Sequence, residues 1–144
     1  MKINIYTDGG SRGNPGPSGI GVVIIQEGQV LKKYGEFIGD ATNNQAEYQA
    51  LIFAFKKAKL LFGKKKAKEM EIDVFMDSEL IVKQLNHEYK IKEKDLQLLF
   101  LKIWNLILDF KKISFNHISR EENKEADKLV NQALDGEGKE QVLL

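Results

Sequence analysis

Four acids in this chain stand where acids are costly. Asp8 closes the stretch KINIYTD (residues 2–8), and Asp77 follows MEIDVFM (70–76). Both stretches read as central parallel strands, and the C-terminal edge of such strands is where open α/β sheets bind ligands. Glu47 falls on the apolar stripe of a helix, with Leu51 at i+4 and Ala54 and Phe55 a turn further on. Asp127 lies beside Ala126, Val130 and Leu134, on the side of the last helix expected to face the core. A carboxylate on a buried stripe is costly unless it is paired or binds a metal. Taken singly, each acid also fits an ordinary part. Asp8 can cap the glycine turn after it, Asp77 can cap the helix beginning at Ser78, and Glu47 and Asp127 can be partly solvated helix acids. Taken together they read differently, because two strand ends and two helix faces can converge while no matching Arg or Lys lies on those faces. Four converging carboxylates raise one another's pKa values. Hard divalent cations relieve the repulsion, and oxygen ligands suit Mg²⁺ or Mn²⁺. Two such ions about 3.5–4 Å apart can activate a water and stabilise the leaving oxygen in phosphodiester cleavage.

The loops beside these acids point the same way. In DGGSRGNPG the glycines allow close backbone approach, and Ser11 and Asn14 offer short polar groups. In TNNQAE the amides Asn43 and Asn44 stand at a helix N-terminus, which suits phosphate or sugar oxygens as well as simple capping. Walker A and dinucleotide-binding patterns do not fit, since no GK[ST] follows and no GxGxxG opens a helix.

The elements that must position these residues follow from the pattern. After the first strand comes the turn-rich GGSRGNPGPSG, then a buried β-branched strand at 20–26 and its hairpin partner at 30–38. Thr42 and Gln45 form a capping box for a helix from Ala46 to about Leu61, which Gly63 ends. KKKAK reads as a solvated loop, and Lys56, Lys57, Lys59, Lys64, Lys65, Lys66 and Lys68 as a mostly solvated basic face. Ser78 caps a short helix to about Asn86. A longer helix spans about Lys94 to Phe110, with Leu98, Leu101, Trp104 and Leu108 among its apolar positions. Ile113–Ile118 is the last strand, and a second capping box, Ser119 with Glu122, opens a helix from about Arg120 to Leu134. The order βββαβααβα predicts an antiparallel meander, then parallel strands reached by helical crossovers: one mixed α/β sheet with helices on its faces.

Composition sets the outer bounds. At 144 residues with 42% hydrophobic content the chain fits one compact domain, read as 1–135, with a loosely held tail at 136–144. No apolar run is long enough to span a bilayer, and the start lacks a signal-peptide apolar core, so a cytoplasmic protein without a membrane partner is expected. With no cysteine, thiol chemistry is excluded. The 22 basic and 21 acidic residues predict no strong overall pull on nucleic acid. That balance averages over unlike populations, because acids in a metal site would have their charge cancelled.

The blocks YTDGGSRGNPGPSGIGVVI, TNNQAEYQAL, DSELIVKQLN and HISREENKEADKLVNQAL together resemble type 1 ribonuclease H, in the family's order, from about residue 3 to 134. The resemblance implies a ribonuclease H-like fold, a five-stranded mixed sheet of order 3-2-1-4-5 with helices on both faces. It implies metal-dependent hydrolysis of the RNA strand of RNA–DNA hybrids by two Mg²⁺ or Mn²⁺ ions, leaving 5′-phosphate and 3′-hydroxyl ends. The family's four catalytic and metal-binding carboxylates fall on Asp8, Glu47, Asp77 and Asp127. Its RNA-contacting groups fall on Ser11, Gly13, Asn14, Asn43 and Asn44, as suits recognition of an A-like shape and of 2′-hydroxyls. The expected partner is the hybrid, with double-stranded RNA a second candidate, and the chain is read as a monomer.

Three departures from the family pattern stand out. Glu79 replaces a glutamine common among relatives, and an ionised acid cannot donate a hydrogen bond. HEYKIKEKD is too short for the basic protrusion of well-studied bacterial members, so the chain resembles the compact branch, with Lys90, Lys92 and Lys94 as partial substitutes. His117 lies at the family's spacing before Asp127 for a histidine that assists proton transfer or product release, but on a strand end rather than a mobile loop. It is a candidate catalytic residue, while His87 reads as a surface residue. Two other readings stay open: a nuclease of the same fold acting on DNA, and a non-catalytic hybrid-binding module.

Overall fold

The β-branched run IGVVII anchors a meander of three antiparallel strands, β1 (Lys2–Ser11), β2 (Gly16–Gln26) and β3 (Gln29–Ala41). Glu27 and Gly28, both at positive φ, make the tight turn between β2 and β3. The remaining elements are α1 (Asn43–Phe62), α2 (Lys64–Ala67), β4 (Glu71–Met76), α3 (Glu79–Leu85), α4 (Lys94–Ile107), β5 (Lys112–His117), a 3₁₀ turn (Arg120–Asn123) and α5 (Lys124–Leu143). The computed structural model describes the backbone of residues 1–143 and the side chains of residues 1–136. The five strands form one sheet of order β3-β2-β1-β4-β5. β1 pairs with β4, and β4 with β5, in parallel. The expected mixed α/β sheet is the one observed.

The two faces of the sheet are covered differently. Ile3, Ile5, Val22 and Ile24 point to one face and join Leu51, Ala54, Phe55 and Ala58 of α1 in the main core. On the other face α5 lies against glycine. A Cβ at Gly21 would overlap the Ala126 carbonyl oxygen, so only glycine allows this approach. Both expected capping boxes are present, at Thr42 with Gln45 and at Ser119 with Glu122.

Four local expectations change. β1 runs on to Ser11 and β2 begins at Gly16, so the hairpin arms consume most of the glycine-rich stretch and leave a short turn at 12–15. The lysine segment is not a loop: α2 is one helical turn that buries Ala67 completely while its lysines stay in water. α4 ends at Ile107, and Leu98, Leu101, Trp104 and Leu108 are each at least half exposed, because Leu96 and Ile103 face the core instead. α5 passes the expected end at Leu134 and continues to Leu143. The side chains of 137–144 lie outside the described residues. Among the described residues no helix is long and apolar enough to cross a membrane.

Candidate active site

The acids meet at the C-terminal edge of β1 and β4. Asp8 sits past the last parallel pair, Tyr6 with Phe75, and Asp77 directly follows β4. α1 brings Glu47 to them because its first turn lies on the backbone of Gly9, where a Cβ would overlap Ala46. The Gly9 N–H then donates to Asp8 Oδ1 at 3.0 Å and to Glu47 Oε1 at 2.9 Å. One oxygen each from Asp8, Glu47 and Asp77 lie within 4.8 Å of one another. Asp8 is 8% exposed and Glu47 7%. Burial, then the charges of Asp77 and Asp127, push the Asp8 carboxyl up to about 8. Burial, then the charges of Asp8 and Asp77, push Glu47 well above the usual carboxylate range, although the Gly9 N–H and Arg120 oppose this.

Asp127 differs from its expected placement. It is exposed, not turned into the core, because Ala126 and Val130 take the inward positions of α5. It nevertheless lines the same cavity as the other three acids, about 490 Å³ in volume, and its charge reaches Asp8. A basic group does reach the site from outside those strand ends and helix faces. Arg120, from the turn after β5, lines this cavity and draws Glu47 downward. The turn is short, so a residue with no place on any helix stripe still reaches the site.

The polar loop residues arrive as a connected set. The Ser11 N–H donates to Asn43 Oδ1 at 2.8 Å, the Asn43 N–H to Asn14 Oδ1 at 2.9 Å, and the Asn14 N–H to Ser11 Oγ at 3.2 Å. These bonds occupy the amide oxygens and leave the Nδ2 donors of Asn14 and Asn43 to a ligand. Ser11, Asn43 and Asn44 line the acidic cavity, and Asn14, Asn43 and Asn44 line an adjoining one of about 270 Å³ with Thr42 and Glu93. Gly13, at φ +126°, supplies the turn between Ser11 and Asn14. His117 ends β5, exposed and outside the acidic cavity, where its charge acts on Glu79. Glu79 itself pairs with Lys83 at 2.8 Å and is held below the usual carboxylate range by that hydrogen bond.

Arg12, Gly21 and Asn123 also serve this edge. Arg12 lines the cavity and pairs with Asp135 of α5 at 2.8 Å. Asn123 donates from Nδ2 to the Thr7 carbonyl and to Asp77 Oδ2, both at 2.9 Å. Its sequence signal was its position four residues before Asp127, one helical turn away. For Gly21 the signal was a glycine inside a β-branched run. Three carboxylates with oxygens within 4.8 Å of one another, two of them buried, are chemically suited to hard divalent cations.

Residues 6–133 match the family described as reverse transcriptase-like. The chain is similar to a bifunctional protein of Mycobacterium tuberculosis, 40% identical over 137 residues, covering 94% of this chain but 36% of that protein. It is similar to ribonuclease HI of Halobacterium salinarum, 39% identical over 135 residues, covering 93% of this chain and 65% of that protein. It therefore spans about a third of the length of the first curated relatives it matches. The solved structure of LC11 ribonuclease H1 in complex with an RNA/DNA hybrid superposes with a TM-score of 0.87 at 49% identity, covering 92% of this chain and 96% of that one.

Proposed function

The chain belongs to the reverse transcriptase-like family, among its type 1 ribonucleases H, and from that premise we propose that it is an endonuclease hydrolysing the RNA strand of RNA–DNA hybrids. The observation that carries the reading is the convergence of Asp8, Glu47 and Asp77 on one edge, with Asp127 across the same cavity and a hydrogen-bonded Ser11–Asn14–Asn43 set beside it. We assign catalysis to residues 1–135. Asp8, Glu47, Asp77 and Asp127 would hold two Mg²⁺ or Mn²⁺ ions. Such ions would supply activation of a water for attack on phosphorus and stabilisation of the departing 3′-oxygen, which would leave 5′-phosphate and 3′-hydroxyl ends.

The chain's own residues do the rest. The Gly9 N–H fixes the facing oxygens of Asp8 and Glu47, so the ligand oxygens are held in place before substrate arrives. Asn14, Asn43 and Asn44 supply amide donors, with the Ser11 hydroxyl and the Gly13 turn, to 2′-hydroxyls of the RNA strand. Glu79 stays ionised beside Lys83 and acts only as an acceptor. His117 is assigned to proton transfer or product release. His117→Ala should lower kcat while leaving KM for the hybrid unchanged, and an unaltered kcat would remove this role. A cytoplasmic monomer belongs to the same proposal.

Labelled RNA–DNA, RNA–RNA and DNA–DNA duplexes, each with Mg²⁺ or Mn²⁺, test the reading. Internal cleavage of the hybrid RNA strand with 5′-phosphate ends is expected. Cleavage of the DNA duplex with the hybrid left intact would overturn it, and hybrid binding without cleavage would leave a binding module. The RNA–RNA duplex decides whether double-stranded RNA is a second substrate.

A further inference from the structure

The parallel ladder between β1 and β4 stops at Tyr6 and Phe75, one residue short of Thr7 and two short of Asp77. Beyond that point the strand backbones no longer hold each other, although the acids they carry stand there. Asn123 fills the gap. It is 1% exposed, and its single amide nitrogen donates to the Thr7 carbonyl on β1 and to Asp77 Oδ2 after β4. It closes the 3₁₀ turn that opens α5, four residues before Asp127.

We propose that Asn123 is a positioning residue of the carboxylate site, a side-chain rung that extends the β1–β4 ladder and fixes the spacing of Asp8 and Asp77. It also ties that spacing to the start of the helix carrying Asp127. This rests on reading the carboxylates as a metal site. A purely structural role fits the side chain poorly. Asn123 Oδ1 is buried with no hydrogen-bond partner among the described residues. A buried acceptor left bare offsets part of what the two bonds contribute to stability, so fold stability alone does not account for an amide here. The amide's two N–H groups are instead spent on one strand carbonyl and one carboxylate oxygen. Partners of this kind, which orient a ligand without touching the ion, typically account for about 10- to 100-fold in metal affinity.

Asn123→Leu tests this, with Mn²⁺ binding to the hybrid-free protein read by electron paramagnetic resonance of free Mn²⁺. Thermal melting in EDTA, kcat and KM are read beside it. Expected are a melting temperature lowered no further than by the Gln84→Leu control, Mn²⁺ binding weakened about 10- to 100-fold, and a lower kcat with KM for the hybrid unchanged. Gln84→Leu is the control. It removes the buried Tyr48–Gln84 hydrogen bond of 2.8 Å, which touches none of the carboxylates, and should lower melting without weakening Mn²⁺ binding. If Asn123→Leu does not fold, Asn123→Ala is read in the same way. Wild-type Mn²⁺ affinity in the Asn123 variants would overturn the inference alone, as would a loss matched by Gln84→Leu. Failure of the wild type itself to bind Mn²⁺ and to cut the hybrid would overturn the functional reading and this inference with it.

Discussion

α1 and α5 each deliver one acid to the same sheet edge, but by different physics. α1 lies over a large apolar core, so Glu47 rides on a helix anchored by Leu51, Phe55 and Ala58 and is itself nearly buried, with Oε1 held by the Gly9 N–H. α5 meets the sheet across backbone, at Gly21 and Gly35, with Ala126 and Val130 as its buried side chains. Its acid, Asp127, is exposed and acts on Asp8 from across the cavity. One face supplies a carboxylate locked by packing and the other a carboxylate free to adjust. Rigidity here is a property of the helix beneath the acid.

The largest effect should come from spoiling the α5 contact. In Gly21→Ala the new methyl meets the Ala126 carbonyl, backbone against backbone, with no flexible side chain to yield. Unfolding by urea should show a loss of about 3 kcal/mol or more, and hybrid cleavage should fall with it. Gly10→Ala is the matched contrast, since its methyl would meet Val130 Cγ1 at an ordinary 3.6 Å. A Gly21→Ala protein as stable as Gly10→Ala would mean that α5 is not seated on glycine.

The acids themselves come next. Glu47→Gln keeps shape but replaces a carboxylate of the Asp8–Glu47–Asp77 cluster by an amide, and kcat should fall on the order of 10³-fold. Asp127→Asn changes an exposed group outside that triad, and about 10- to 100-fold is expected. Equal losses would erase the distinction between locked and adjustable acids.

Proton binding tests the same contrast without substrate. Asp8, raised to about 8, and Glu47, raised as well, keep protons in the folded chain where the unfolded chain, with carboxylates near 4, has lost them. More protons bound when folded means that stability falls as pH rises between those limits. In EDTA the wild type should therefore melt lower at pH 8 than at pH 5. Asp8→Asn should flatten the slope and melt a few degrees higher than wild type at pH 8, while losing cleavage. A wild-type melting curve indifferent to pH over this window would contradict the buried, crowded state of Asp8.

Much of this was legible in the chain because it is local. Capping boxes need residues three apart, Gly63 stops a helix by itself, and an acid on an apolar stripe announces its own cost. What stayed hidden depends on neighbours distant in sequence. α4 carries Lys94, Asp95, Gln97, Lys102 and Asn105 on one side, but Leu98 and Leu101 interrupt that polar face, so a count of apolar residues did not single out Leu96 and Ile103 as the inward ones. Ala67 is one apolar residue among lysines, too little to mark α2. Arg120 and Asn123 belong to a 3₁₀ turn, where no helical stripe assigns a direction. Asp127 looked inward because its neighbours Ala126 and Val130 are apolar, yet one position along a helix is enough to face the cavity instead.

The smallest stability effect belongs to the contact that joins the two acid-bearing regions. Arg12, in the turn after β1, pairs with Asp135 of α5 at 2.8 Å, and both side chains are about half exposed, 48% and 58%. A pair so open to water contributes about 0–1 kcal/mol, so Arg12→Ala should leave the melting temperature almost unchanged. The same weakness means that the guanidinium can exchange Asp135 for a phosphate at little cost, and it lines the acidic cavity. Arg12→Ala should therefore raise KM for the hybrid at low salt with kcat preserved, and reduce the slope of log KM against log salt by about 1. An unchanged slope would make Arg12 only a tether between the turn and α5. A changed slope with unchanged melting would make the adjustable side of the site the side that meets the substrate backbone.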